Sequence, residues 1–453
     1  MNNNDRHDEP DAAPGTPHLK SGDVLDGRFA LQQLAGRGGM GVVYRGSDLV
    51  TGAPVAIKVA SAGKQGVRSR FAQEIAVLSR LSHPGIVQYI STGTTPAGHV
   101  FLAMEWLEGE TLETRLHRER LTTEQAIWIA RQSCEALAFA HAAGIVHRDL
   151  KPSNLFLVGG ALEQLKLLDF GIARERNSER TNTQTGTMLG TLGYMAPEQA
   201  LGARELDARA DVFALGCLLF ECLTGRPAFM GETSVAIMAK VLHEEPPPLR
   251  QLLPEVSEAL EQLVVRMLSK DADGRPADAR VVLDALEAFD LAEPAARTPV
   301  GLSSSERKIV SVILGRPRTD SSRATTLAVE TVADSEDHSG VQTITRQFGG
   351  ELVFLRDGAL MTVLSGQGAA TDQTAQAARC ALLLKQERPD LRLSVATGRA
   401  ESSGNLPQVP IGGAIDRAAE LLSGVEPALG IAIDELTAAL LEQSFVVMRH
   451  TQG

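Results

Sequence analysis

The stretch "GIVHRDLKPSNLFL" (144–157) sets Asp149 and Asn154 on one loop with Lys151 between them. These residue types answer three needs of phosphoryl transfer, in which a protein chiefly positions groups and neutralises charge. A carboxylate can receive the proton of an attacking hydroxyl. A cation can sit beside the transferred phosphoryl group, and an amide oxygen can hold a metal ion. Further on, "LLDFGIA" offers Asp169 as a second oxygen ligand. Mg2+ takes few carboxylates and fills its remaining positions with water and phosphate, so one Asp with one Asn suits it.

Working outward, "LAGRGGMGVVYRG" (34–46) holds Gly36, Gly38 and Gly41 in a G-x-G-x-x-G pattern, followed by Val43. By itself this is either a glycine turn between strands or a flap whose N–H groups approach phosphate with no Cβ in the way. The pattern lies between strands and opens no helix, which argues against a dinucleotide fold and for a flap over a triphosphate. "VAIK" then puts Lys58 on a predicted buried strand, an expensive place for an unpaired ammonium. The apolar spacing of Phe71, Ile75, Leu78 and Leu81 predicts a helix over 68–82 that would carry Glu74 inward to pair with Lys58. A surface lysine beside a solvated glutamate is the alternative.

The bulk of the chain sets limits. At 453 residues it exceeds a single hydrophobic core. A net charge of −12 and an aromatic content of 4% both disfavour nucleic-acid binding. Cys134, Cys217, Cys222 and Cys380 follow no metal-ligand spacing and read as reduced core thiols of a cytoplasmic protein. "VFALGCLLFECL" (212–223) is too short to span a membrane and contains Glu221, so it reads as a buried helix. Residues 1–24 lack an apolar segment and read as a disordered tail, not a secretory signal. Short β-branched runs dominate 25–107 and helical patterns 108–290. A proline-bearing linker follows at 291–305, and strands alternate with helices over 306–453. "HEEPPPLR" (243–250) reads as a rigid loop between helices, with a polyproline ligand as the alternative.

Residues 25–290 resemble the bacterial members of the eukaryotic-like Ser/Thr protein kinases. The matching motifs are the glycine flap, "VAIK", "HRDLKPSN", "DFG" and "APE" (196–198). The resemblance implies a bilobal α+β fold, with a β-rich lobe over 25–107 and an α-rich lobe over 108–290. It implies Asp149 as catalytic base, Lys151 at the γ-phosphate, the pair Lys58–Glu74, and Asn154 and Asp169 as ligands of Mg2+ or Mn2+. ATP would lie against Leu34, Gly36, Gly38, Gly41, Val43, Ala56 and Lys58, with Met104 as gatekeeper and backbone groups of Glu105 and Leu107 facing adenine. Asp211 would brace the catalytic loop and Arg275 would pair with Glu198. The partners implied are ATP and protein substrates, with neither nucleic acid nor a membrane span. "GTLGYMAPE" resembles the Ser/Thr class, with Thr191 before the segment that receives the residue after the phosphoacceptor. His147 in this motif packs in the core. In the threonine-rich segment 174–191, Thr183 and Thr185 are the expected autophosphorylation sites, and Arg148 could pair with a phosphothreonine.

Residues 306–453 resemble the class III nucleotide cyclase homology domain, which implies a smaller ferredoxin-like α/β fold. Active members hold two metals on two carboxylates. Here Arg316 follows the strand "RKIVSVILG" where an Asp is wanted, and the hairpin "QFGGELVFLRDGALMTVL" (347–364) keeps only Asp357. Asp416 and Glu420 stand where the family has Asn and Arg. The expectation is a non-catalytic regulatory module, able to form a homodimer. A pseudokinase scaffold and a bifunctional kinase–cyclase are the competing readings of the whole chain.

Overall fold

The computed structural model describes residues 19–38, 41–60, 71–72, 75–170, 192–203, 205–288, 306–317, 339–355, 358–365, 370–402, 412–423, 430–442 and 445–448. The chain divides into two compact units, Met1–Arg118 with Arg131–Arg176, and Glu119–Ala130 with Asn177–Gly453.

The first unit is built on an antiparallel sheet in the order β1-β2-β3-β4-β6-β5. Its strands are β1 (Val24–Leu25), β2 (Phe29–Gly38), β3 (Gly41–Asp48), β4 (Pro54–Ala60), β5 (Tyr89–Thr94) and β6 (Val100–Glu105). β3 alternates buried and half-buried positions, the period-2 signature of a sheet with one covered face. β4, between β3 and β6, is buried from Val55 to Ala60. Phe29, Leu31, Val42, Val55, Ile57, Val59 and Phe101 close the core. The helix predicted over 68–82 is present at 71–72 and 75–78, and the rest of its first half lies outside the described residues.

A small second sheet positions the 144–154 loop. It consists of β7 (Gly109–Thr111), β8 (Leu155–Val158) and β9 (Leu165–Leu167), all antiparallel. The Val87 N–H donates to the Leu167 carbonyl at 3.0 Å, and the Leu167 N–H donates to the Gly85 carbonyl at 2.8 Å. β9 is thereby tied to the 85–87 loop as well as to β8. Helices α1 (Leu112–Arg118) and α2 (Thr123–Ala142) precede the loop.

The second unit is helical from residue 197 to 288, with α3 (Pro197–Ala200), α4 (Ala208–Thr224), α5 (Ser234–His243), α6 (Glu258–Met267) and α7 (Ala279–Ala288). α4 contains the apolar stretch 212–223 and is buried nearly all round, as expected. The Asp207 side chain caps its first turn by accepting from the Arg209 N–H, and Gly225 ends it in the left-handed region at φ 69°. Glu221, the polar residue of that stretch, accepts a hydrogen bond from the Tyr194 hydroxyl. Residues 244–248, with the prolines, form the connection after α5.

The same unit carries a five-stranded sheet in the order β11-β12-β10-β13-β14. Its strands are β10 (Glu306–Pro317), β11 (Glu351–Phe354), β12 (Leu360–Ser365), β13 (Leu391–Ser402) and β14 (Ala432–Ile433). Helices α8 (Ser339–Gln347), α9 (Ala370–Glu387), α10 (Gly412–Ser423) and α11 (Glu435–Leu441) complete it. Along β10 the side chains alternate between two cores. Ile313 meets α8 and α9 through Val341, Ala377 and Cys380, whereas Val310, Val312 and Leu314 meet α10 through Ile415, Ala418 and Ala419. β10 runs further than expected: its pairing with β13 continues through Arg316↔Arg392 and Pro317↔Leu391, so Arg316 lies inside the strand. The hairpin read at 347–364 is present as β11 and β12, and Asp357 lies outside the described residues.

Candidate active site

Asn154 and Lys151 of the 144–154 loop converge on the Asp149 carboxylate. Asn154, in a single 3-10 turn (Pro152–Asn154), donates its side-chain N–H to the Asp149 carbonyl at 2.7 Å and to Asp149 Oδ2 at 3.1 Å. Lys151 Nζ stands 3.2 Å from the same Oδ2. The carboxylate is thus approached from two sides by donors largely withdrawn from solvent, the Asn154 amide and the Lys151 ammonium. Committing the Asn154 amide nitrogen to Asp149 leaves its oxygen as the group able to take a cation.

His147 locks this loop to the strand that precedes Asp169. The Asp149 N–H donates to His147 Nδ1 at 3.3 Å, so Nδ1 is the acceptor and Nε2 carries the proton, which goes to the Leu168 carbonyl at 3.0 Å. The Leu168 N–H in turn donates to the Asn154 carbonyl at 2.8 Å. The buried imidazole packs on the Phe170 ring, with centroids 4.6 Å apart. His147 is therefore a core residue, as expected. Two residues here hold the left-handed backbone, Arg148 at φ 65° and Asp169 at φ 35°. Such conformations cost of order 1–3 kcal/mol in a non-glycine residue and persist where the surroundings impose them.

Lys58 is 7% exposed on β4, so the alternative of a surface lysine is excluded. Its ammonium lies 2.9 Å from Asp169 Oδ1. Its expected partner Glu74 lies outside the described residues. The Lys58–Asp169 pair was not foreseen; burial of the lysine was the only signal in the sequence that some carboxylate must reach it.

The flap glycines face different surroundings. β2 and β3 form a hairpin that pairs Gly38 with Gly41. A Cβ at Gly41 would lie 2.1 Å from the Val59 carbonyl oxygen, so the close approach of β4 alone demands glycine there. At Gly36 no atom comes within 4 Å of the position a Cβ would occupy. The fold itself therefore does not demand glycine at this position. Across the sheet, Ala56 and Met104 are register neighbours on β4 and β6, and both are buried. Leu34, nearly half exposed, offers the apolar cover a base would need. Val43 pairs with Lys58 in register, and Leu107 is half-buried.

Glu105 is more constrained than the sequence suggested. Its N–H donates to the Gln88 carbonyl at 3.0 Å. Its carboxylate accepts from the Gln88 N–H at 2.7 Å and from Lys166 Nζ at 2.6 Å. The backbone contact to a base expected at Glu105 is thereby narrowed to its carbonyl.

In the second unit Arg275 and Glu198 form the expected pair, with Nη1–Oε1 at 2.8 Å and Nη2–Oε2 at 2.9 Å. Asp211 is buried in the first turn of α4. Thr183 and Thr185 lie outside the described residues.

The protein kinase domain family matches residues 29–286. Serine/threonine-protein kinase pkn2 of Myxococcus xanthus is 40% identical over 273 residues, which are 58% of this chain and 33% of that protein. Serine/threonine-protein kinase PknB of Mycobacterium tuberculosis is 37% identical over 308 residues, 65% of this chain and 49% of PknB. Among solved structures, the kinase domain of Mycobacterium tuberculosis PknI aligns with a TM-score of 0.48 and 26% identity, over 60% of this chain and 99% of that one. The chain spans between a third and a half of the curated relatives it matches.

Proposed function

We propose, because this chain belongs to the protein kinase domain family, that it transfers the γ-phosphoryl group of ATP to serine or threonine hydroxyls of proteins. The observation that carries the reading is the Asp149 carboxylate held by Asn154 and Lys151. The substrate hydroxyl oxygen attacks the γ-phosphorus as the bond to ADP breaks. Asp149 takes the hydroxyl proton. Lys151 offsets the negative charge that gathers beside it, and Lys58, released from Asp169 by phosphate oxygens, holds the nucleotide from β4. Asn154 Oδ1 and Asp169 are the residues that would hold Mg2+, whose charge neutralises the triphosphate.

Further parts of the reading rest on sequence and resemblance. The kinase domain is taken as 25–290, with Thr183 and Thr185 as autophosphorylation sites. Residues 306–453 are a regulatory module of the cyclase-homology type without cyclase activity. Asp416, at the position where that family has Asn, is ion-paired to Lys240 at 2.6 Å, which supports a non-catalytic use. The four cysteines are free and buried, in keeping with a cytoplasmic protein.

The test is the purified chain with labelled ATP and Mg2+ or Mn2+, beside Asp149→Asn. Phosphoprotein should form, in part on Thr183 and Thr185, and fall by about a hundredfold or more in the variant. An inert wild type would show a scaffold instead, and cyclic nucleotide would show a second enzyme.

A further inference from the structure

The core on the even-numbered face of β10, covered by α10, takes in more than its own domain, because α5 packs against α10. α5, capped by the Thr233 hydroxyl, delivers Val235, Ala236, Met238 and Ala239 into the core of Val310, Val312, Leu314, Met361 and Ile415. All four α5 residues are at most 3% exposed. Leu192, from the segment "LGYMAPE" (192–198), packs against the same cluster, as does Leu242. A helix of the kinase region and the segment leading into "APE" therefore share one apolar core with the C-terminal sheet.

The rim of that core is polar and incompletely satisfied. Lys240 Nζ on α5 meets Asp416 Oδ2 on α10 at 2.6 Å and also donates to the Met230 carbonyl at 2.7 Å. Glu244 Oε2 lies 4.0 Å from the same ammonium. One lysine thus faces two carboxylates. Among the described residues, Asp416 Oδ1 and Glu244 Oε2 are buried without a hydrogen-bond partner. A buried carboxylate oxygen left unpaired costs more than a hydrogen bond gains. The apolar core and the Lys240–Asp416 pair favour contact while the unpaired oxygens of the rim oppose it, and this balance distinguishes a releasable contact from a permanent one.

We propose that the C-terminal α/β domain is an intramolecular latch on α5 and Leu192, which keeps protein substrates off that face until the Lys240–Asp416 contact opens. The role rests on the kinase reading above, since Leu192 belongs to the segment that reading assigns to the substrate. Occupying α5 and Leu192 excludes any other protein from the same surface by volume alone, and differential affinity for the closed form sets the degree of inhibition.

The test uses the full chain as wild type, as Asp416→Lys, and as the swap Lys240→Glu with Asp416→Lys. Phosphorylation of myelin basic protein and hydrogen exchange of the α5 amides are measured on the same samples. Asp416→Lys sets two ammonium groups against each other. It should raise the phosphorylation rate about five- to tenfold and speed exchange over Val235–Val241, with both returning toward wild type in the swap. Faster exchange without faster phosphorylation overturns the latch, as does unchanged exchange in Asp416→Lys. If exchange responds as expected and none of the three proteins transfers phosphate, the kinase reading itself fails and the contact is purely structural.

Discussion

A Cβ at Gly41 would meet the Val59 carbonyl oxygen at 2.1 Å, whereas the same atom at Gly36 would meet nothing within 4 Å. One motif thus contains a glycine demanded by the fold and a glycine the fold can do without. Gly41→Ala must push β3 away from β4 and should cost about 1–3 kcal/mol of stability. Gly36→Ala should change stability by under about 0.5 kcal/mol. It should raise KM for ATP about five- to tenfold, since it fills the space a phosphate would take. Denaturation midpoints and ATP titrations of the two variants check this, and equal stability losses would remove the distinction. The G-x-G-x-x-G pattern alone made these residues equivalent, because a pattern records residue type and not the neighbouring backbone. Lys58 teaches the same lesson: burial could be read from its strand, but Asp169 as its partner could not. That contact depends on how the 165–170 segment is tied by His147, Leu168 and Asn154.

At the scale of elements, Arg275 joins three of them. Its side chain is fully buried, and it donates to Glu198 on α3, to the Arg209 carbonyl in the first turn of α4, and to the Ser269 and Lys270 carbonyls after α6. The guanidinium also lies 5.0 Å from the centre of the Phe213 ring. Arg275→Lys keeps the charge but has neither the planar fork nor enough donors for five acceptor atoms, and should cost about 3 kcal/mol or more. Glu198→Ala should cost a similar amount by leaving the guanidinium buried without its carboxylate. A double-mutant cycle in urea should give strong coupling, and additive losses would show the pair to be incidental. The β-branched runs of the first sheet and the apolar run of α4 were legible as elements, because both follow from local residue preference and pattern. The Glu198–Arg275 pair, 77 residues apart, was legible only by resemblance. The packing of α5 against α10 was not legible at all, since an amphipathic helix declares an apolar face and leaves its partner unstated.

Taken whole, the chain's length predicted more than one hydrophobic core, whereas the division into units passes between Ala130 and Arg131, inside α2. No sequence signal marks such a boundary, because helix propensity continues unbroken while the contacts change. The pH dependence of folding is equally a property of assembled surroundings. Burial holds His243, at the end of α5, to a pKa of about 4, and the charge of Lys270 acts in the same direction. Above the ordinary value of 6.5 both folded and unfolded forms are neutral, and His243 contributes no pH dependence. Between 6.5 and about 4 the unfolded chain binds a proton that the folded chain refuses, so stability must fall as pH falls. From pH 7 to pH 5 the loss should approach about 2 kcal/mol. Neighbouring groups act elsewhere or oppositely. Burial raises the carboxylates of Glu244 and Glu245, which favour the folded form as acid is added, and Lys270, lowered to about 8, titrates above this window. The His243 contribution is isolated by comparison with His243→Gln. Wild type should lose several degrees more in melting temperature than the variant between pH 7 and pH 5, and parallel profiles would mean that His243 is protonated as readily in the folded chain as in the unfolded one.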